Sequence, residues 1–372
     1  MCLHIFALLS PGTRPPLRGS AYRPYPTPTP QQTTGFRVAI IGSGPAGLTV
    51  AEELQLRGHQ CTIFDMWPEP GGVLRYGIPN FKMNKELLES KLSSLQKLGI
   101  NFVNNTKIGV DITLKELHLD HGYDVIFIGT GAGVGNLMRL EGEELQHVYQ
   151  ATDFLVRGNL KPYELPPEQQ EQPYIGKNVV VVGGGDTAMD CVRTAIRQKA
   201  KSVKCLYRRD QNNMPGSQRE VNNAIEEGID FNWLTLPTEY LGKDKVSQVK
   251  IVKMQLGSPD ESGRRSPEIK RGSEKLIDSD LIIEALGFEP ENLPIMFNDT
   301  SLNITRWGTI KINYQNMMTS LDGVFAAGDI VRGASLVVWG IRDGRDAAEN
   351  IKQYLSNKKN LNLVSSKRVV NE

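Results

Sequence analysis

The chain has 372 residues, 39% of them hydrophobic and 23% charged, with a formal net charge of +1. That composition belongs to a soluble globular protein with room for two or three domains. A near-neutral charge removes any electrostatic case for nucleic acid or an anionic membrane, and no apolar run approaches the roughly 18 residues of a membrane span.

Residues 1–35 carry no acidic residue, and from Pro11 to Pro30 they are dense in proline. Proline fixes φ and removes a backbone donor, so an irregular arm is expected here. Ordered structure is expected from Phe36. The apolar run Val38-Ala39-Ile40-Ile41 reads as a strand. It leads into Gly42-Ser43-Gly44-Pro45-Ala46-Gly47, a helix to about Arg57 closed by Gly58, and a second strand ending at Asp65. A helix over Lys85–Leu98 follows, then the strand Tyr123–Ile128, which runs into Gly129-Thr130-Gly131. Lys161–Pro173 is Pro-rich and reads as a linker.

The opening pattern then returns. Val179-Val180-Val181-Val182 precedes Gly183-Gly184-Gly185-Asp186-Thr187-Ala188, a helix to about Gln198, and a strand ending at Tyr207-Arg208-Arg209. Asp280-Leu281-Ile282-Ile283-Glu284-Ala285-Leu286-Gly287 echoes the strand that begins at Asp124. An internal duplication of nucleotide-binding units is the simplest account. A charged loop or hairpin is expected over Gly257–Lys275, and a polar tail over residues 356–372.

Each glycine turn joins a buried strand to a helix N-terminus, where free N–H groups and the helix dipole favour a pyrophosphate. Gly42, Gly44 and Gly47, with Pro45 and Ala46, form one such cradle, and Gly183, Gly185, Asp186, Thr187 and Ala188 form the other. A carboxylate about 20 residues on accepts hydrogen bonds from a ribose diol, which suits Asp65. Arginine in that place suits a 2′-phosphate, which it pairs bidentately, and Arg208 and Arg209 stand there. The chain is therefore expected to hold two dinucleotides and pass hydride between them.

Cys2, Cys61, Cys191 and Cys205 show no CxxC or CxxxxC spacing, and the five histidines show no metal-ligand spacing. No metal site, iron–sulfur cluster or disulfide relay is expected on this chain. Buried reduced thiols fit a cytoplasmic location.

Gly323-Val324-Phe325-Ala326-Ala327-Gly328-Asp329, taken with both glycine turns, resembles the two-dinucleotide-domain flavoproteins of the glutathione-reductase type. The match narrows with Gly71-Gly72-Val73-Leu74-Arg75-Tyr76-Gly77-Ile78-Pro79, Tyr207-Arg208-Arg209-Asp210 and Met214-Pro215. With these, residues 36–355 resemble the small-chain family of bacterial glutamate synthase and its NADPH-oxidising relatives. The resemblance implies an α/β fold with two Rossmann-like domains, the NADPH domain inserted into the FAD domain. Expected boundaries are 36–155 and 289–355 for the FAD domain, 156–175 for the linker and 176–288 for the NADPH domain. It also implies cofactor contacts at Gly72, Arg75, Ile78, Gly131, Gly287 and Gly328. Asp329 would bond the flavin ribityl chain, and a helix starting near Ser335-Leu336 would point its N-terminus at the flavin N1/C2 carbonyl region.

Hydride transfer from nicotinamide C4 to flavin N5 needs positioning rather than an acid or base, so no catalytic side chain is nominated. The linker and Phe288–Asn292 are candidate hinges. Family members normally begin with a cysteine-rich domain carrying iron–sulfur clusters, and here the Pro-rich arm stands in its place. The expected function is NADPH oxidation through FAD, with electrons delivered to a separate protein such as a glutamate synthase large chain or an iron–sulfur protein. Two alternatives stay open: a free-standing NADPH–ferredoxin, quinone or dye reductase, and a flavin-binding subunit without turnover.

Overall fold

The computed structural model describes residues 29–171, 174–259 and 265–369. Most of the proline-rich arm lies outside them. Its last residues are tied down by backbone bonds from Gln31 to Leu56 and from Thr34 to Gly58. The chain divides into two compact units, one running to Val134 and resuming at Glu289, the other spanning Gly135–Phe288.

In the first unit β1 (Arg37–Ile41), α1 (Pro45–Leu56) and β2 (Gln60–Phe64) make a βαβ unit. The short α2 (Val73–Tyr76), α3 (Lys85–Lys97), β3 (Asn101–Val103), α4 (Leu114–Leu119) and β4 (Val125–Ile128) follow. After the second unit the chain returns through the strand Val324–Ala326 and a long helix, Val337–Val369. The sheet order is Val324–Ala326, β4, β1, β2, β3, with every pair parallel. Alternate residues feed two cores. Val38, Ile40, Ile63, Val125 and Phe127 pack with α1, α3 and the long helix, while Ala39, Ile41, Ile126 and Ile128 pack with Leu114, Leu117 and Phe297. Burial on both faces explains why β4 is apolar throughout and β1 is apolar after the exposed Arg37.

In the second unit β5 (Val148–Gln150), α5 (Ala151–Asn159), β6 (Asn178–Val182), α6 (Asp186–Arg197), β7 (Ser202–Tyr207), α7 (Gln218–Glu226) and β8 (Asp230–Trp233) precede an antiparallel section. That section holds β9 (Thr235–Gly242), β10 (Val246–Pro259), β11 (Arg265–Ile269) and β12 (Lys275–Asp278); β13 (Leu281–Glu284) follows it. The parallel sheet has the order β5-β13-β6-β7-β8. Val179, Val181 and Ile283 meet α5, α6 and α7 on one face, while Val180, Val182 and Ile282 meet Tyr240, Val249 and Ile251 on the other. The charged stretch 257–275 contributes the β10–β11 pairing, as a hairpin reading expects.

Two boundaries differ from the sequence reading. Residues 135–175 group with the second unit, because β5 pairs with β13 and Phe154 and Leu155 of α5 enter the second core. The tail from 356 is helical as far as Val369, a continuation of the long helix.

One buried carboxylate holds the second unit's layers together. Glu284 accepts from the Tyr240 hydroxyl at 2.7 Å, the Gln150 amide at 2.8 Å and the Met138 N–H at 3.4 Å. Burial, with the nearby Glu143 carboxyl, pushes Glu284 up to about 7. The folded state therefore binds a proton that the unfolded chain releases at ordinary carboxylate pH. Its contribution to stability is complete below the unfolded value and is lost as pH rises through about 7. Glu284→Gln should flatten this decline. Denaturant midpoints taken across neutral and mildly acidic pH should fall with pH in the natural protein and less so in the variant; parallel curves would refute the assignment.

Candidate dinucleotide-binding sites

Both glycine turns lie at the carboxyl end of the strand where the order of their sheet reverses, between β1 and β4 and between β6 and β13. Crevices at such points take ligands in open α/β sheets. Helices α1 and α6 start there with Gly44 and Gly185 as N-caps, and neither has a side-chain cap. Their first-turn N–H groups thus have no side-chain acceptor.

The glycines divide by role. Gly42 has φ +97°, and a Cβ there would come 2.6 Å from the Gly129 carbonyl; at Gly47 it would come 1.9 Å from the Gly42 carbonyl. Those glycines are required by the fold. Gly44 and Gly185 are different: φ is −71° and −87°, values open to any residue, and a Cβ would meet nothing within 4 Å. Nothing in the protein demands glycine at either position, whereas a phosphate approaching the backbone does.

Three further segments reach the first turn. A Cβ on Gly72 would lie 2.8 Å from Gly44 Cα, and one on Gly328 3.0 Å from Ala46 Cβ. Gly129-Thr130-Gly131 adjoins Gly42, and the Thr130 hydroxyl is buried without a partner among the described residues. Asp329 accepts from the Ser335 hydroxyl at 2.6 Å, and Leu336 is exposed just before the long helix, which begins at Val337. Asp65 is buried beside the turn and bonded to Ser43 and to the Trp67 N–H. Ile78 packs against the first core. Arg75 is buried, with Nε donating to the Pro70 carbonyl at 2.7 Å and its guanidinium paired with Glu89 of α3, so it ties its loop to that helix.

In the second unit the segment 207–217 crosses the glycine turn. The Tyr207 ring fills the space beside Gly184, the Gly216 N–H donates to the Gly184 carbonyl at 2.9 Å, and the Ser217 N–H donates to Asp186 at 2.8 Å. The last bond gives the Asp186 carboxylate a partner at the helix start. Gly183 abuts the Ala285 carbonyl, Thr187 is half-buried and Ala188 lies in the core. Gly287 has φ +95° and is bonded through its carbonyl to Asn136. Arg208 is exposed, and Arg209 has a buried Nε without a partner. Among the described residues no ion pair engages either arginine. Unpaired guanidinium groups beside an uncapped helix suit a phosphate.

A family model described as pyridine nucleotide-disulphide oxidoreductase matches residues 36–344. The chain belongs to that family. It is 48% identical to the glutamate synthase [NADPH] small chain of Azospirillum brasilense over 88% of this chain and 68% of that one. It is 44% identical to the Escherichia coli glutamate synthase [NADPH] small chain, over 87% and 69%. Mycobacterium tuberculosis FprA in complex with NADPH superposes with a TM-score of 0.73 at 20% identity, over 87% and 85%, and so shares the fold. The chain is an NADPH-dependent flavoprotein oxidoreductase that binds FAD.

The family name includes disulphides, but Cys61, Cys191 and Cys205 are buried free thiols. Burial pushes all three well above the usual thiol range, Cys205 to about 12. Such thiols are poor nucleophiles. Among the described residues no helix is long and apolar enough to cross a membrane.

Sequence reasoning assigned no part to Ser43, Thr130 or the Gly216-Ser217 turn. The serine stood inside the first fingerprint, and the turn lay directly after the marked pair Met214-Pro215.

Gly44→Ala should fold with unchanged or slightly higher stability, since alanine lowers the entropy of the unfolded chain by about 0.4–1 kcal/mol, yet bind FAD at least tenfold more weakly. Gly185→Ala should do the same for NADP+. Gly47→Ala should instead lose several kcal/mol or fail to fold, since the new methyl group meets backbone. Thermal melts with ligand titrations separate these outcomes; unimpaired binding in Gly44→Ala would refute the phosphate cradle.

Proposed function

We propose that this chain oxidises NADPH through FAD as the small chain of a glutamate synthase, delivering electrons to a separate protein. The observation that carries the reading is the pair of uncapped helix N-termini, each at the reversal point of its own parallel sheet, one beside Asp65 and one beside Arg208 and Arg209. Identity of 44–48% to glutamate synthase small chains over nearly the whole chain supports the specific assignment. The term small chain in those names supports an assembly with a partner, here a glutamate synthase large chain. Buried reduced thiols support a cytoplasmic setting.

On this reading Gly42, Gly44, Pro45, Ala46, Gly47, Asp65, Gly72, Gly131, Gly328 and Asp329 hold FAD, while Gly183, Gly185, Thr187, Arg208, Arg209 and Gly287 hold NADPH. When bound, the two cofactors supply a hydride donor and a two-electron acceptor. The protein's work is placement. Helix N-terminal N–H groups take the pyrophosphates, the carboxylate takes ribose, and the arginines take the 2′-phosphate.

Anaerobic titration of the flavin-loaded protein should bleach the visible flavin band with NADPH far more readily than with NADH. No bleaching, or equal bleaching by both, would overturn the donor assignment. Arg208→Ala with Arg209→Ala should remove a charge-assisted phosphate contact of about 1.5–3 kcal/mol, raising the NADPH KM roughly 10- to 100-fold and leaving that for NADH little changed. Glutamine- and 2-oxoglutarate-dependent NADPH oxidation should appear only when a glutamate synthase large chain is added. A high rate with an artificial acceptor but none with that chain would favour a free-standing reductase.

A further inference from the structure

Ser43 occupies the second place of the first glycine turn, a position whose backbone alone would serve a phosphate. Its side chain is nevertheless fully buried and bonded both as donor and as acceptor. The Ser43 N–H donates to Asp65 Oδ2 at 2.7 Å, and the hydroxyl proton goes to the same oxygen. The hydroxyl oxygen accepts the Gly71 N–H at 2.8 Å. One side chain thus joins the end of β1, the end of β2 and the Gly71–Gly72 turn. Asp65 Oδ1 separately accepts the Trp67 N–H at 2.9 Å.

The acceptor count sharpens the consequence. An ionised carboxylate offers about four lone-pair positions. Both on Oδ2 are taken by Ser43 and one on Oδ1 by Trp67, which leaves a single position on Oδ1. We propose that Ser43 is the positioning residue of the FAD half-site: it locks Asp65 so that one oxygen receives a single adenosine-ribose hydroxyl, and it ties the Gly71–Gly72 turn to the phosphate cradle before FAD arrives. The proposal rests on the reading of the first unit as the FAD half. It departs from the simple expectation of a carboxylate gripping both hydroxyls of the diol. A site assembled in advance spends less of its binding free energy on ordering.

The experiment uses the full chain stripped of flavin, with FAD, FMN and NADP+ as probes in fluorescence titration and calorimetry. Ser43→Ala should weaken FAD roughly 10- to 100-fold, through the lost hydroxyl and the unpartnered Gly71 N–H. FMN has no adenosine, so it should lose only the share carried by the Gly71–Gly72 turn and weaken clearly less than FAD, and NADP+ should be unaffected. Equal weakening for FMN and FAD, or a loss of NADP+ binding as well, would make Ser43 a structural residue only and overturn the proposal. Undiminished FAD affinity would also overturn it. A second measurement needs no variant: of two FAD analogues lacking the adenosine 2′- or 3′-hydroxyl, one should bind about tenfold more weakly to the natural chain and the other nearly as well as FAD. Equal losses would refute the single free acceptor. If the natural chain bound no FAD while still binding NADP+, the reading of the first unit itself would fail.

Discussion

The structure depends on how closely the first turn of a helix can be brought to the ends of two neighbouring strands. In the first unit Gly42 and Gly47 let α1 approach so closely that a single methyl group at either would strike a carbonyl. In the second, Gly183 does the same beside Ala285. Close packing is dictated from below, by the parallel sheet. From above, the consequence is a row of backbone N–H groups with no side chain to satisfy them. A helix start left bare in this way is completed by water or, more strongly, by an anion. The two glycines that the fold does not need, Gly44 and Gly185, lie where that completion has to come.

The two units use one scaffold but surround it differently. The carboxylate beside the first turn is buried and has three donors already in place, and two chain segments, carrying Gly72 and Gly328, close in on the cradle. Among the described residues no ion pair engages the arginines beside the second turn, and Arg208 is exposed. A prearranged buried acceptor suits a group that stays with the protein. An exposed cation such as Arg208 suits one that must arrive and leave at every turnover, because it steers an anionic ligand without being fixed in advance. The contrast matches a resident FAD and an exchanging NADPH.

Much of this was legible in the chain because parallel strands buried on both faces are written as unbroken apolar runs. Val38–Ile41, Val125–Ile128 and Val179–Val182 announce themselves in that way, and the glycine turns after two of them mark the helix starts. The boundary near residue 135 was not legible. The strand that sets it, Val148–Gln150, has three residues, all half-buried, and carries no period. The expected limit at residue 155 misses for a related reason, since Phe154 and Leu155 belong to the second core although a Pro-rich stretch follows them within a few residues. Composition reports local chain stiffness, whereas a boundary is decided by which sheet a segment pairs with.

Polar side chains were the least legible part of the site. Arg75 belongs to a segment that resembles a cofactor-binding family motif, and its guanidinium already spends donors on Pro70 and Glu89. Ser43 looks like filler between two glycines, yet it orders three segments. Glu284 sits in a strand of otherwise apolar residues and bridges two layers through Tyr240 and Gln150. In each case the deciding quantity is how many donors and acceptors are already spent, and that count depends on partners up to 146 residues away in the chain. A sequence motif names the groups present at a site. Only the hydrogen-bond inventory says which of them are still free to meet a ligand, and it is this inventory that separates Asp65, with one acceptor position left, from Arg208 and Arg209.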